Sequence, residues 1–240
     1  MGEPLHDTIS VIIPVLNEAD KIAKTLLFLK SVSTVEAIVV DGGSGDDTVA
    51  VAQTYGVTVL QTSPGRAHQM NAGAARATGT VLLFLHADSQ LPHNFVEQVH
   101  RTLAQPNVIA GAFDLVIDSP AFSLRLVEWG VKWRSRLLQL PYGDQAIFLK
   151  ADTFRRVGGF TELPIMEDFD FVKRLQKLGR VAIAPASVIT SARRWEKLGV
   201  LQTTLINQLV IFAYFLGVPR DRIAQWYRSG MRQANRKRRD

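Results

Sequence analysis

Apolar positions alternate along the chain between short dense runs and helical stripes. Ile9 to Pro14 is a β-branched run closed by proline, the pattern of a buried strand. Glu18 to Lys30 follows with Ile22, Leu26 and Leu29 at helical spacing. The alternation continues with strands at Val35 to Val40, Val57 to Gln61 and Thr80 to Leu85. Helices are predicted between them at Asp46 to Tyr55, Arg66 to Ala77 and Pro92 to Leu103, the last with proline in its first turn. Beyond position 105 the pattern loosens. It predicts strands at Val108 to Ile117 and Tyr142 to Leu149, and helices at Leu124 to Leu138 and Met166 to Leu178. A long apolar helix from Trp195 to Leu216 and a short one from Pro219 to Arg228 complete the series. Short strand–helix connections imply an α/β fold, with a mostly parallel sheet flanked by helices.

In such sheets ligands bind outside the carboxyl ends of the strands. Three polar clusters follow strand ends here: Asn17-Glu18, Asp41 to Asp47, and His86 to Asp88. They are expected to converge on one edge as an active site.

Length and composition narrow the picture. The 240 residues suffice for one α/β domain with a small helical appendage. The absence of cysteine excludes disulfides, thiolate metal sites and cysteine nucleophiles. No signal-peptide pattern precedes Ile9, and no run reaches the roughly 18 apolar residues of a membrane span. The nearest, Leu205 to Val218, is interrupted by Asn207 and Gln208. A cytoplasmic location is therefore expected. The net charge is +6, but the last thirteen residues carry +5 of it, through Arg228, Arg232, Arg236, Lys237, Arg238 and Arg239 less Asp240. The body is nearly neutral, which excludes a basic nucleic-acid-binding face.

Each cluster suggests a chemistry. In Asp41-Gly42-Gly43-Ser44-Gly45-Asp46-Asp47-Thr48 a strand-end carboxylate is followed by glycines that let backbone approach a phosphorylated ligand. Asp46, Asp47 and Thr48 read as largely structural, with Asp46 or Ser44 capping the next helix. Asp41 reads as a ligand contact, because a bare carboxylate at a strand end needs a partner. The glycines follow the second strand and do not form G-x-G-x-x-G, which disfavours a nicotinamide dehydrogenase. Asn17 is placed to cap the helix after Pro14. Arg66 at a helix start suits a diphosphate, with Asn71 as a further candidate. His86 and Asp88, two residues apart in a tight turn, can hold one divalent cation with phosphate oxygens. Glu167, Asp168 and Asp170 lie among aromatics, which raise a carboxylate toward general-base range. Asp168 is the preferred base and Glu167 the second.

Taken in order, S-V-I-I-P-V-L-N-E, V-V-D-G-G-S-G-D-D-T, G-R-A-H-Q-M-N-A-G, L-F-L-H-A-D-S and M-E-D-F-D-F resemble the motifs of family 2 glycosyltransferases, inverting enzymes with the GT-A fold. The first four cover roughly residues 9 to 90. The chain is most similar to small standalone bacterial members with H-A-D. The resemblance implies a Rossmann-like nucleotide-binding core with a C-terminal helical extension. Residues 1–190 would form the catalytic domain, with a nucleotide-sugar half at 1–105 and an acceptor half at 106–190. Residues 191–229 would be C-terminal helices, and 230–240 a disordered basic tail.

The resemblance also implies roles. Pro14 and Glu18, with Asn17 and Gly43, would line the nucleotide pocket, and Asp41 would accept from the base. Arg66 and Asn71 would approach the ribose or diphosphate. Asp88, with His86 and Ala87 completing the motif, would hold Mn²⁺ or Mg²⁺ on the diphosphate of a UDP-sugar. Asp168, paired with Glu167, would be the base. Gly143, Asp144 and Gln145 would stand on the acceptor or diphosphate side with Arg193, Arg194 and Trp195, which resemble the end of Q-x-x-R-W. Two departures stand out: His86 replaces the first aspartate of D-x-D, and no glutamine opens the Q-x-x-R-W segment.

The acceptor is not readable. The apolar C-terminal helix and basic tail suit peripheral contact at the inner face of the plasma membrane and a lipid-linked acceptor; packing onto the core or a second copy is the equal alternative. Trp129 and Trp133 read as core packing, with an acceptor platform second. The rival functions are a non-catalytic nucleotide-sugar-binding or membrane-tethering protein and a sugar nucleotidyltransferase. The latter lacks its Gly-rich loop after the first strand.

Overall fold

A computed structural model describes residues 8–236. One eight-stranded sheet, in the order β3-β2-β1-β4-β7-β6-β8-β5, runs through the molecule. β1 (Ile9–Val15), β2 (Val35–Asp41), β3 (Thr58–Gln61) and β4 (Val81–Phe84) are mutually parallel. They alternate with α1 (Ala19–Lys30), α2 (Thr48–Thr54) and α3 (Arg66–Arg76) as the hydrophobic pattern predicts. β1 shows why the strands are apolar throughout. Ile9, Val11, Ile13 and Val15 pack into one buried cluster with α1, while Ile12 enters a second on the opposite face with Met70 of α3. Helices thus cover both faces.

The second half departs more from expectation. The two-residue strand β5 (Ser89–Gln90) precedes α4, which spans Phe95–Leu103 rather than starting at Pro92. β6 (Val108–Asp118) and α5 (Phe122–Leu137) are where they were expected. The strand predicted from Tyr142 is short: Gly143–Gln145 is a 3-10 turn, and only Phe148–Lys150 forms β7. β7 is antiparallel to both β4 and β6. α6 (Ala151–Val157) then precedes α7 (Glu167–Gln176).

The twelve-residue strand β8 (Arg180–Ser191) was not anticipated. It runs parallel to β6, with a register shift where Phe113 faces Ala184 and Asp114 faces Ser187. Pro185 falls within that irregularity, where no ladder donor is required of it. The long helix expected from Trp195 is two helices, α8 (Arg193–Leu198) and α9 (Val200–Phe215). They are separated by Gly199 at φ 83°, a backbone conformation that suits glycine. α10 (Arg220–Arg236) continues well past Arg228, so residues 230–236 are helical where a disordered tail was expected. The rest of the tail lies outside the described residues. Trp129 and Trp133 are not core residues: they are 68% and 56% exposed.

Candidate active site

The sheet order decides what meets at one edge. β2, β1 and β4 lie side by side and parallel, so the loops after Asp41, Val15 and Phe84 are neighbours. β7 runs the opposite way, so the turn before it, Gly143–Gln145, arrives at the same edge. β8 is parallel to β6, which is antiparallel to β7, so the end of β8 also points there. Thr190 of β8 pairs with Ser89, next to Asp88, and α8 begins three residues later. The missed strand is therefore what carries Arg193 and Arg194 to the three clusters read from sequence.

The first two loops are tied together. Asn17 Oδ1 accepts the Gly45 N–H at 2.8 Å, and the Asn17 N–H donates to Ser44 Oγ at 2.8 Å. Asn17, at φ 55°, thus clasps the second loop and does not cap α1. Asp46 accepts from the N–H of Ala19 and of Thr48, serving the first turns of α1 and α2 together, and the Glu18 N–H donates to Thr48 Oγ1. The structural role expected of Asp46 and Thr48 is what the geometry shows. The buried Asp41 carboxylate finds its partners inside its own loop, from the N–H groups of Gly43 and Ser44 at 2.9 and 3.0 Å and from the Ser44 hydroxyl. Its oxygens are thus partnered within the loop. Gly42 is held bare by Gln69, whose amide donates to Val15 O and Val40 O at 2.8 Å. A side chain at Gly42 would press on that amide. Gln69 is a staple that sequence reasoning missed.

Two further candidates are bonded within the scaffold. Asn71 is tied to Phe160. Its amide donates to Phe160 O at 2.8 Å and accepts the Phe160 N–H at 2.9 Å. Gln145 is fully buried: its Nε2 donates to Phe113 O, while its Oε1 accepts from Ser135 and Arg134. Both amides are consumed by the scaffold. Asn71→Ala should lower stability by about 1–3 kcal/mol, because it strands two buried backbone groups. Thermal melting with and without nucleotide checks this: the nucleotide-induced shift should survive the substitution.

The remaining side chains surround two joined clefts. The larger, about 750 Å³, is bordered by Gly65, Tyr142, Glu167, Asp168 and the inner side of α9. The smaller, about 500 Å³, is bordered by Pro14, Glu18, Ala87, Asp88 and Arg193. Arg66, His86, Asp144, Arg194 and Trp195 line both and form the junction. Asp168 Oδ2 accepts the Gly143 N–H at 2.8 Å, and a Cβ on Gly143 would sit 3.3 Å from both Asp168 Oδ2 and His86 Nε2. The absence of a side chain at Gly143 thus lets the base candidate and the imidazole approach one another. Met166, just before the acidic pair, adopts φ 66° although it is not glycine. Such strain is concentrated at functional sites.

Electrostatics separate these groups. Removal from water, with Arg66 and Arg194 nearby, holds the His86 imidazole down at about 3, so it stays neutral across the physiological range. Burial raises Asp88, Asp144 and Glu167 above the usual carboxylate range. At Glu167 the neighbouring Asp168 adds to the rise, and Arg66, 3.8 Å away, opposes it. Arg193 grips Glu18 through two bonds of 2.7 and 3.2 Å and stands 3.6 Å from Asp88. Arg194 donates to Asn207 at 2.8 Å. Asp144 Oδ1, Arg194 Nε and Trp195 Nε1 are buried without a partner, all at the junction. Unpaired buried polar atoms are uncommon, and here they lie where a polar ligand would complete them.

Among the described residues no group of three or more acidic or imidazole side chains is arranged to hold a metal ion. Asp88 and His86 offer one carboxylate and one neutral nitrogen on the same cleft. That set fits Mg²⁺ or Mn²⁺ only if donor phosphates supply most of the remaining oxygens, the usual arrangement for these ions.

Comparison with known proteins agrees with this geometry. The Glycosyl transferase family 2 model matches residues 10–160. An uncharacterized glycosyltransferase of Mycobacterium tuberculosis (strain H37Rv) is 30% identical over 186 residues, spanning 70% of this chain and 68% of that protein. A PGL/p-HBAD biosynthesis glycosyltransferase of Mycobacterium bovis (strain BCG) is 27% identical over 214 residues, 83% of this chain and 80% of its own. The mannosyltransferase from Pyrobaculum calidifontis, solved with GDP-Man and Mn²⁺, superposes with a TM-score of 0.66 at 20% identity, over 94% of this chain and 73% of that one. Glucosyl-3-phosphoglycerate synthase from M. tuberculosis, solved with Mn²⁺ and UDP-glucose, gives 0.62 at 18% identity, over 89% and 80%. These structural likenesses establish the GT-A fold. With the family model matching residues 10–160, more than half of the chain, and the motifs converging on one sheet edge, the chain belongs to glycosyl transferase family 2 and is a glycosyltransferase.

Proposed function

We propose that the enzyme moves a sugar from a nucleotide-diphosphate sugar, with UDP-sugars preferred, to an acceptor hydroxyl in one inverting displacement that requires a divalent cation. The observation that carries this reading is the junction of the two clefts. The smaller cleft, beside the clasped loops, Asp88 and Arg193, takes the nucleotide diphosphate. The larger, beside Asp168 and Tyr142, takes the acceptor. The anomeric carbon then lies between them, near His86 and Asp144.

In this reading Asp168 removes the proton from the acceptor hydroxyl, and the oxygen attacks the anomeric carbon from the face opposite the leaving group. The bond to the diphosphate breaks, and its electron pair leaves with the nucleoside diphosphate. Arg66, Arg193 and Arg194 are the cations within reach of that developing charge. Asp144, with one unpartnered oxygen, receives a sugar or acceptor hydroxyl. Glu167, raised by burial, positions Arg66. Asp41, with Gly43 in the same loop, would accept from the base. Asp88 and His86 would hold the Mn²⁺ or Mg²⁺ together with the donor phosphates. A bound cation would supply Lewis-acid stabilisation of the leaving oxygen.

The test is donor hydrolysis without acceptor, across UDP-, GDP- and dTDP-sugars, with Mn²⁺, Mg²⁺ or EDTA. Release of nucleoside diphosphate from a UDP-sugar, abolished by EDTA, is the expected result. No release and no thermal stabilisation by any nucleotide would sink the reading. Stabilisation without release, even with acceptor extracts added, would reduce the protein to a nucleotide-sugar binder.

A further inference from the structure

We propose that α5 and α9 form a membrane-docking face that seats the enzyme in the surface of an anionic bilayer, with the larger cleft opening beside it. On α5, Phe122, Leu126, Trp129, Trp133 and Leu137 recur at helical spacing, and all are exposed. The core-facing side of the same helix is already apolar, with Leu124 buried and Val127 and Val131 packed against the core. A soluble surface helix keeps its outward side polar, and this one does not.

α9 repeats the arrangement. Leu201, Leu205, Leu209, Phe212 and Phe215 face solvent at 62% to 81% exposure. Val210, Ile211 and Tyr214 pack inward. The helix contains no charged residue over its sixteen positions, and it contacts α5. Two neighbouring helices therefore each turn an apolar stripe outward, more than scattered surface hydrophobics explain.

Neither helix crosses a bilayer, since no helix among the described residues is long and apolar enough. α9 at sixteen residues spans only about 24 Å at 1.5 Å per residue. The fitting geometry is a helix lying in the plane of the interface. Charge selects the occupant. On α5, Arg125 pairs with Glu128 at 3.0 Å, Arg136 pairs with Asp114 at 2.7 Å, and Arg134 turns inward onto Leu140 O and Gln145 Oε1, which leaves Lys132 as the cation of that helix without a partner among the described residues. The sequence of α10 adds five arginines against Asp221. Two copies meeting through this face would bring these positive excesses together, whereas anionic headgroups complement them. Exposed Trp129, Trp133 and Trp226 are the residue type that favours the headgroup layer.

α9 is also a wall of the larger cleft, through Asn207, Val210 and Ile211. On the transfer reading above, the acceptor is then an amphiphile whose hydroxyl enters from the bilayer surface. The docking itself does not depend on that reading.

Flotation of the full chain with phosphatidylcholine vesicles, with and without phosphatidylglycerol, tests the docking. The chain should float with the phosphatidylglycerol vesicles, less so in high salt. Leu205→Gln/Leu209→Gln/Phe212→Gln, and separately Trp129→Gln/Trp133→Gln, should each reduce the bound fraction on the order of tenfold. Hydrolysis of soluble donor should stay at the wild-type rate in both, which shows that they are folded. Absence of flotation, or undiminished flotation of both variants, would overturn the proposal. So would a lipid-free dimer, seen by sedimentation, that either variant dissociates, because a second copy would then cover the face. Failure of donor hydrolysis alone would leave the flotation result standing, so the two readings fail separately.

Discussion

Asp168→Asn should lower the rate of sugar transfer by about 10² to 10⁴, the usual contribution of a positioned general base, and leave nucleotide binding intact. The structure separates these two quantities. Asp168 borders the larger cleft and the small gap beneath His86, and it does not border the nucleotide-side cleft. Asparagine preserves the shape and can still accept the Gly143 N–H through its amide oxygen, so the turn that carries Gly143 stays in place. What disappears is the capacity to take a proton. Initial-rate kinetics should show the loss in kcat, and the thermal shift with nucleoside diphosphate should be unchanged. Glu167→Gln is the internal control. Its carboxylate sits 3.8 Å from Arg66 with little access to solvent, so its loss should weaken donor binding more than it slows the chemical step. If the large kcat loss belongs to Glu167→Gln instead, the assignment of the base is reversed.

Asp88→Asn should lower the rate by about 10²-fold or more and flatten its dependence on Mn²⁺ concentration. Asp88 is the only carboxylate of the H-A-D segment, and its motif partner His86 is neutral. Removing its charge leaves the pair with none. Asp88 is also shared with Arg193, which stands 3.6 Å away while gripping Glu18. The substitution therefore frees Arg193 to pair with Glu18 alone and leaves no buried cation stranded. A fall in activity can then be read as loss of the cation site and not of the fold. A metal titration of both forms measures this. A variant that reaches the wild-type rate at high Mn²⁺ would place Asp88 at the edge of the site. One that stays at the wild-type rate in EDTA would show that it holds no ion at all.

The first half of the molecule was legible because each signal there is local. β1 through β4 are dense apolar runs, and the polar residues that follow them must lie at strand ends. The motif order alone brings Asp41, His86 and Asp88 to one edge. What was missed depends on contacts distant in sequence. β8 is rich in alanine and interrupted by Pro185, so it lacks the β-branched alternation that marks a strand, yet it delivers Arg193 and Arg194. Asn71 and Gln145 looked like ligand contacts because an amide next to a motif always does. Their bonds to Phe160 and Phe113 join residues 89 and 32 positions apart, and no local pattern records them. The exposed stripe on α5 was misread for the opposite reason. Its spacing says that one side is apolar, and spacing alone does not say whether that side faces the sheet.

The clasp among Asn17, Ser44, Asp46 and Thr48 has a thermodynamic consequence for the donor. These loops are cross-bonded by their own side chains and backbone, so their ordering accompanies folding. Freezing one loop residue costs about 1–2 kcal/mol of conformational entropy, and here that cost falls on folding. Affinity for the nucleoside end then reflects its contacts with little deduction for ordering. On the transfer reading proposed above, this edge would serve the nucleotide as a preset mould, at the cost of some fold stability.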